Sequence, residues 1–585
     1  MPLEPVPTAR PSLRLRADLA DSTFDSPGTA LELAGPAAGG SRWFDRIGRP
    51  SVVALAAFFV ALGAAQFDLS PAEAKLGLAV GEALGPFGRS FGYWDPATWP
   101  LPVAIGQLAG WFEDEGATQN AVRWPAALAG CLIGYLLTRR GRLDLNPRAG
   151  VMVALAWFGS LALMDRSNHL WAFLDWLLCA QIPHHRPFYV NFDLLAGLGT
   201  VAALDRLLSK GAGWVVGLWA SWAFLAGGWP PVAILILATV VLGLAGSTWN
   251  WRTSVPVAAA FAGWSAWALA AAPAEAWASA LTLPITRPSA WGLAGMVLLA
   301  GCPWAPFVAL MVARSVRESW VGSSRGLVVG WLQVAGACLV AGSIIPGLAT
   351  AASVPALAGL AFVAAAVWDR LWAQGAASPA ARRTLGGLLL AGTGLWLALV
   401  LSWGGYVGFT VAYYRAVMIG TLALSVVGLG TAIEAVRRAD PRRGYAAVVL
   451  VAVALKLAHW GYFVPEMNYR TSAGPWGRAI GQWVPEGHSL YTLKPWPADL
   501  AYAINRPVRQ LKSPRLIEFQ PGKGSKFLLL SDTEYAEYEH WPDGWPKLVK
   551  VAQFADESGE GSRVLARTEG PIILGHPHKK NSAYD

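Results

Sequence analysis

The sequence predicts a polytopic α-helical membrane protein of about thirteen transmembrane helices, with a small α/β domain at its C-terminus. Three observations predict it. Of 585 residues, 54% are hydrophobic and only 14% charged, where soluble globular chains carry roughly a quarter. Apolar runs of about 15 to 24 residues recur from residue 51 to residue 464, long enough to cross a bilayer as helices. After residue 465 these runs stop, and charged, strand-like segments begin. This composition excludes an ordinary soluble enzyme, a fibrous protein and a disordered chain. An outer-membrane barrel is excluded too, because its segments are short and alternate in polarity.

In chain order, residues 1–50 are rich in Pro, Ala and Gly and carry Arg10, Arg14, Arg16, Arg42, Arg46 and Arg49. A signal peptide has a short charged region at its very start. This segment is too long, and reads as a disordered cytoplasmic tail before a signal-anchor helix. The transmembrane domain, 51–465, holds apolar spans at 51–67, 119–138, 149–164, 190–208, 212–226, 231–248, 254–272, 290–313, 326–345, 350–368, 385–402, 415–436 and 445–464. Two long outer segments interrupt it. Residues 68–118 carry helix-like 71–86 and 101–112, expected to lie along the membrane. Residues 165–189 carry a short apolar stretch, 170–182, expected to be re-entrant.

Loop charges orient these spans, because cytoplasmic loops collect Lys and Arg. With the N-terminus inside, the inner loops hold Arg139, Arg140, Arg142 and Arg148, then Arg206 and Lys210, then Arg252. They continue with Arg314, Arg317 and Arg325, then Arg370, Arg382 and Arg383, then Arg437, Arg438, Arg442 and Arg443. The outer loops hold few: Lys75, Arg89, Arg166, Arg186, Arg287 and Arg415. Such a chain belongs in a bacterial inner membrane, with its C-terminal domain in the periplasm. The net charge of +9 is absorbed by these loops, so it does not point to nucleic acid. Cys131, Cys179, Cys302 and Cys338 lie in apolar stretches without a CxxC pair and read as small core residues.

Residues 466–585 form the soluble domain. Strands are expected at 489–493, 526–530, 547–554 and 562–567, and helices at 475–484, 497–504 and 532–540. Ser531 and Glu534 have the spacing of a capping box that opens the last helix.

Acidic residues gather on the outer side: Asp68, Glu73, Glu82, Asp95, Glu113, Asp114 and Glu115 in the first segment, and Asp165, Asp175 and Asp193 in or beside the second. Within the spans lie Glu434, Lys456 and His459. An intramembrane ionisable group is a functional candidate by default, although Lys456 sits near enough to the outer end to snorkel. No GxSxG, P-loop, HExxH or GxGxxG stands in a fitting context.

The order of these features resembles the C-type membrane glycosyltransferases, the superfamily of the bacterial protein O-mannosyltransferases and the lipid A aminoarabinose transferase. The resemblance covers roughly residues 50–570. It begins with Phe67-Asp68-Leu69-Ser70-Pro71-Ala72-Glu73-Ala74-Lys75, where the family has an acidic pair before an amphipathic helix. Tyr93-Trp94-Asp95-Pro96 and Ile105-Gly106-Gln107 follow, then Asn120-Ala121-Val122-Arg123-Trp124-Pro125 opens the next span. Phe192-Asp193-Leu194-Leu195 resembles the family's second acidic position. Gly228-Trp229-Pro230-Pro231, Pro303-Trp304-Ala305-Pro306-Phe307, Asn505-Arg506-Pro507-Val508 and Lys526-Phe527-Leu528-Leu529-Leu530 complete the series.

The resemblance implies transfer of a sugar from a polyprenyl-phosphate donor to an acceptor (protein, lipid or glycan) on the outer face of the lipid bilayer. That reaction needs a carboxylate to take the acceptor's proton and cations or a metal for the phosphate leaving group. Candidates for the carboxylate are Glu73, Asp193, Asp68 and Asp95. Phosphate could be held by His184, His185, Arg186, Tyr414, Arg415 and Lys456, with Arg123 and Arg287 as weaker candidates, and Arg470, which opens the outer domain, could close the site. A divalent metal ion could sit on His185 and Asp193. Each has a plainer reading: Asp193 as a helix-end acid, Glu73 as a solvated loop residue, the His pair as loop polarity, Tyr413 and Tyr414 as interface aromatics. Two positions depart from the family. Asp95 and Gly228 stand where relatives carry lysines, and an acid at position 95 repels phosphate unless a metal intervenes. These departures keep open a non-catalytic sugar-lipid binding or transport protein on the same scaffold. An ion-coupled carrier is a third reading.

Overall fold

The computed structural model describes the chain from residue 100 to residue 569, apart from 111–118, 161–192, 210, 245–250, 272–291, 319, 321, 375–378, 411, 464, 467–473, 486–487, 495–497, 507, 518–524, 539–545 and 556–561. The expected tail 1–50, first span 51–67, loop helix 71–86 and stretch 170–182 lie outside the described residues.

Apart from the run 290–313, the described parts of the expected spans are helices. The helices are α1 (Pro100–Gly110), α2 (Gln119–Asp144), α3 (Pro147–Gly159), α4 (Leu194–Leu208), α5 (Gly213–Gly227), α6 (Trp229–Leu244), α7 (Trp251–Ala271) and α8 (Gly292–Ala300). After a 3-10 segment, Ala305–Val312, come α9 (Arg314–Arg317), α10 (Gly322–Ile344), α11 (Ala349–Gln374), α12 (Pro379–Thr410), α13 (Arg415–Arg438) and α14 (Pro441–Ala458). Among the described residues, five helical stretches are long and apolar enough to cross a membrane: Gly322–Ile344, Ala349–Ala373, Ala381–Ser402, Ala412–Arg438 and Pro441–Tyr462. The chain is a membrane protein. Helices α5 and α6 are shorter apolar helices; at 15 and 16 residues, each is about 23 Å long, less than the ~30 Å hydrocarbon thickness.

Helix starts follow local chemistry. Asn146 accepts the amide of Ala149 at 2.8 Å, and Pro147 takes the first helical position, where no donor is needed. Asp440 does the same for α14, accepting from Arg442 at 2.9 Å ahead of Pro441. Helix α11 is the axis of the bundle, 89% of its apolar window being buried. Small residues let neighbours approach: a Cβ on Gly359 would stand 2.7 Å from the Trp331 carbonyl, and one on Gly199 2.7 Å from the Ala223 amide.

One span departs from expectation. The run 290–313 is not a continuous helix: α8 and the segment Ala305–Val312 are bent by 106°, with a cis Cys302–Pro303 bond at the corner. Pro303 and Pro306 lack the amides that a continuous helix requires.

The C-terminal domain is α/β. Helices α15 (Gly474–Trp483), α16 (Ala498–Ile504) and α17 (Asp532–Glu537) accompany strands β1 (Leu490–Thr492), β2 (Val508–Gln510), β3 (Phe527–Ser531), β4 (Leu548–Ala555) and β5 (Ser562–Thr568). The sheet order is β2-β1-β3-β5-β4. Strand β1 is parallel to β2 and β3, with Leu490 opposite Val508 and Phe527. Strand β5 is antiparallel to β3 and β4. Both faces of β3 are buried: Phe527 and Leu529 pack with Ile480, Leu500 and Ile504, while Leu528 and Leu530 pack with Tyr491 and Ile517. The Ser531–Glu534 capping box is present. The sequence reading missed β2, whose three residues are half-buried or exposed.

Candidate functional site

Ion pairs gather the helix ends at one end of the bundle. The Arg140 guanidinium grips Asp205 with two bonds, 2.7 and 3.0 Å, and reaches Asp144 at 2.8 Å. Arg148 donates to Asp369 at 2.6 Å, and Asn146 donates to its other oxygen at 2.7 Å. The guanidinium groups of Arg148 and Arg442 both lie over the Trp372 ring, and Arg443 bridges to Glu434 at 3.2 Å. Arg370 lies over Trp320. These residues belong to loops that the charge pattern assigns to a single side.

From this end the helices climb to the other. Asp193 stands about 18 Å along α4 from Asp205, Lys456 about 21 Å along α14 from Arg442, and Arg123 about 25 Å along α2 from Arg140. Arg415 opens α13, whose last residue is Arg438. The expected site residues Arg123, Asp193, Tyr414, Arg415 and Lys456 therefore share the end opposite the ion pairs.

Asp193 is the N-cap of α4. Its Oδ1 accepts the Ala196 amide at 3.0 Å, satisfying one of the donors that a helix start leaves open. Its Oδ2 faces Gly227: a Cβ built there would stand 3.5 Å from that oxygen, 2.8 Å from the Ala196 Cβ and 2.9 Å from the Pro231 Cγ. Gly227 ends α5, and Gly228 follows at φ 76°, ψ −147°, a conformation open essentially to glycine alone. The Trp222 indole donates to the Leu195 carbonyl at 3.0 Å, fastening α5 to the first turn of α4. The fold thus brings together two features that the sequence singled out separately, the acid and the Gly-Trp-Pro-Pro break. One carboxylate oxygen is held by the helix amide, and the other lies against Gly227, whose lack of a side chain lets the end of α5 approach the start of α4 closely.

Lys456 lies near the end of α14. It is 7% exposed, and its Nζ donates to the Ser160 carbonyl at 3.2 Å, just past the end of α3. Among the described residues no carboxylate pairs with it. The following turn is a π-helix, His459–Phe463. It packs on the start of α13: Tyr462 meets Tyr414 edge-on at 4.8 Å, and Gly461 lies against Val417. Tyr414 is buried in this contact, whereas Tyr413 and Arg415 are exposed. Arg123 is buried at 8%.

The remaining expected residues, Asp68, Glu73, Asp95, His184, His185, Arg186, Arg287 and Arg470, lie outside the described residues. So does the metal reading that paired His185 with Asp193. Among the described residues no group of three His, Cys, Asp or Glu is placed to hold a metal ion. The sequence reading missed the Ser160 carbonyl, since a backbone acceptor leaves no residue signature, and missed Gly227 as the neighbour of Asp193.

By sequence, no protein-family model and no curated protein matches the chain. Its fold does match solved structures. ArnT from Cupriavidus metallidurans bound to undecaprenyl phosphate superposes with a TM-score of 0.62 at 17% identity, covering 90% of this chain and 98% of that one. ArnT from the same organism in the apo state gives 0.61 at 16% identity, over the same shares. The chain thus shares the fold of the ArnT structures over nine-tenths of its length.

Proposed function

We propose that this protein is a membrane glycosyltransferase that takes a sugar from a polyprenyl-phosphate donor and transfers it to an acceptor on the outer, periplasmic face. The observation that carries the reading is the Asp193 carboxylate, which caps α4 at the end of the bundle opposite the ion pairs and packs against the Gly227–Gly228 break. It does so in a fold shared with a protein that was solved with undecaprenyl phosphate bound.

The chemistry is a displacement at the anomeric carbon. The acceptor hydroxyl oxygen forms the new C–O bond while the bond to the phosphate oxygen breaks, and the lipid phosphate leaves with that electron pair. A carboxylate takes the hydroxyl proton; Asp193, Glu73, Asp68 and Asp95 are the candidates. Cations near the leaving phosphate lower the barrier, and Lys456, Arg123 and Arg415 lie at the same end of the bundle as Asp193. His184, His185 and Arg186, just ahead of Asp193 in sequence, would add to them, with a divalent ion on His185 and Asp193 as an alternative source of charge. Tyr413, exposed beside Arg415, offers a ring for a sugar or an acyl chain.

Asp95 and Gly228, standing where relatives carry lysines, favour a second reading: a sugar-lipid binding or transport protein without turnover. Lipids that co-purify in mild detergent, identified by mass spectrometry, test the donor. A polyprenyl phosphate or its sugar conjugate is expected. Reproducible absence from folded protein that also fails to bind added donor overturns the assignment. Turnover by the native chain that is lost in Asp193→Asn separates the enzyme from the binding protein.

A further inference from the structure

The ion-paired end of the bundle holds a second feature, independent of the reaction above. A shallow, open cleft lies where α12 meets the α13–α14 turn. Its floor is apolar, formed by Leu385, Leu389 and Val436, and its rim carries Arg382 and Asp440. The turn that walls it is tight: Ala439 is left-handed, at φ 51°, ψ 38°.

Charge around the cleft is one-sided. Arg382 and Asp440 line it, and the same helix ends carry Arg383, Arg437, Arg438, Arg442 and Arg443 against Glu434. Both acids are already engaged. Glu434 pairs with Arg438 and Arg443. Asp440 caps α14 and lies 3.6 Å from Arg443. Arg382 and Arg383 are exposed, and among the described residues neither has an acidic partner. Beside the cleft, Val436, Ile433 and Leu390 expose apolar side chains at 37%, 44% and 38%.

We propose that this cleft binds an anionic phospholipid of the surrounding bilayer, the phosphate on Arg382 at the rim, with the charge of the neighbouring Arg383 in support, and the top of an acyl chain on Leu385, Leu389 and Val436. Surplus guanidinium donors select a phosphate, which they bind in bidentate fashion. The apolar floor, continuous with the exposed helix flanks, selects a ligand with a hydrocarbon tail. A soluble anion uses the rim and leaves the floor bare. Basic pockets between transmembrane helices are suited to such headgroups. The inference requires that the chain sits in a membrane, and does not require that it transfers sugar.

The test is native mass spectrometry of delipidated full-length protein titrated with phosphatidylglycerol and, separately, with phosphatidylcholine. Three variants accompany it. R382Q/R383Q removes the free cations. Gly386→Leu fills the cleft without changing charge; a Cβ there stands 3.4 Å from Val436, ordinary contact, and thermal unfolding checks that it folds. R314Q/R317Q is the control, a basic pair at the same end but away from the cleft. With two basic residues removed, at about 1 kcal/mol each near the headgroups, the double Arg variant is expected to lose phosphatidylglycerol by about thirty-fold. Gly386→Leu loses it comparably, and the control stays near native. The proposal fails if phosphatidylcholine binds as tightly, or if the control loses as much as R382Q/R383Q, which would mean diffuse surface attraction. It also fails if Gly386→Leu binds normally, or if inorganic phosphate displaces the lipid at equal concentration.

Discussion

Asp193 and Gly227 meet across two helices: the acid caps the start of α4, and the glycine ends α5 with room for no side chain. A methyl group at position 227 would stand 2.8 Å from the Ala196 Cβ and 2.9 Å from the Pro231 Cγ, and would reach to 3.5 Å from the Asp193 Oδ2. Two of these contacts are closer than Cβ atoms tolerate, so the helices must separate. Gly227→Ala is therefore expected to destabilise the protein by about 1–3 kcal/mol and to depress activity further than its stability loss explains. Gly430→Ala, in the open interior of α13 with nothing within 4 Å, is expected to be neutral or stabilising by up to about 1 kcal/mol. Thermal unfolding in detergent, with turnover measured well below the transition, separates the two effects.

Replacement of Asp193 distinguishes a cap from a reactive carboxylate. Asn accepts a helix amide about as well as Asp, whereas Ala loses about 1 kcal/mol at such a position. Asp193→Asn is expected to keep near-native stability while turnover falls by about a hundred-fold or more, the scale of a lost general base. Asp193→Ala should lose both. Equal turnover for Asp193→Asn and native protein would leave the residue as a cap alone.

Much of this was legible because apolar runs report helices directly. The run 415–436 is the helix Arg415–Arg438, and 526–530 is the strand Phe527–Ser531. Asp193 was legible as an acid at the outer start of the run 190–208, where the resemblance places the family's second acidic position. The bend in 290–313 was not, since hydropathy carries no direction, although Pro303 and Pro306 were visible. Strand β2 was not, because three residues at a sheet edge show no alternation. The Lys456–Ser160 bond joins positions 296 apart through a backbone carbonyl, which no residue pattern encodes. Asp369 and Asp205 gave no sign of pairing with Arg148 and Arg140, since nothing in a loop's composition names its partner.

Those two aspartates are expected to matter for the fold. Asp369 is 4% exposed and accepts from both Arg148 and Asn146. Its removal leaves a largely buried guanidinium and an amide without acceptors. Asp369→Ala is expected to cost about 3 kcal/mol or more. Arg314→Ala removes the exposed Arg314–Glu318 pair and is expected to change stability by less than about 0.5 kcal/mol. Parallel denaturation of the two variants checks the ordering.

Ala439 occupies the left-handed region at the end of α13, which costs an L-residue about 1–2 kcal/mol. The Asp440 amide still closes onto the Ala435 carbonyl at 2.9 Å, so the turn is retained despite that cost. Ala439→Gly relieves it and is expected to raise stability by about 1 kcal/mol. A lower unfolding temperature for the glycine variant would show that the Ala439 methyl contributes more by packing than its backbone costs.

Lys456 poses the opposite question, since burying an ammonium group against a single carbonyl costs stability. A charge with no carboxylate partner among the described residues is held at 7% exposure, where an apolar residue of similar volume avoids the desolvation penalty. Lys456→Met is therefore expected to leave the unfolding temperature unchanged or higher. If the ammonium serves a lipid phosphate, the same variant weakens donor binding by about ten-fold, the scale of one lost charge-assisted bond. Lys456→Arg, which keeps the charge on a longer and flatter group, should recover part of that binding. Donor affinity measured across the three proteins decides between the roles. Loss of stability in Lys456→Met with donor binding unchanged would make the bond to Ser160 a fastening between α14 and the end of α3. Gain of stability with donor binding lost would make it a site retained at the expense of the fold.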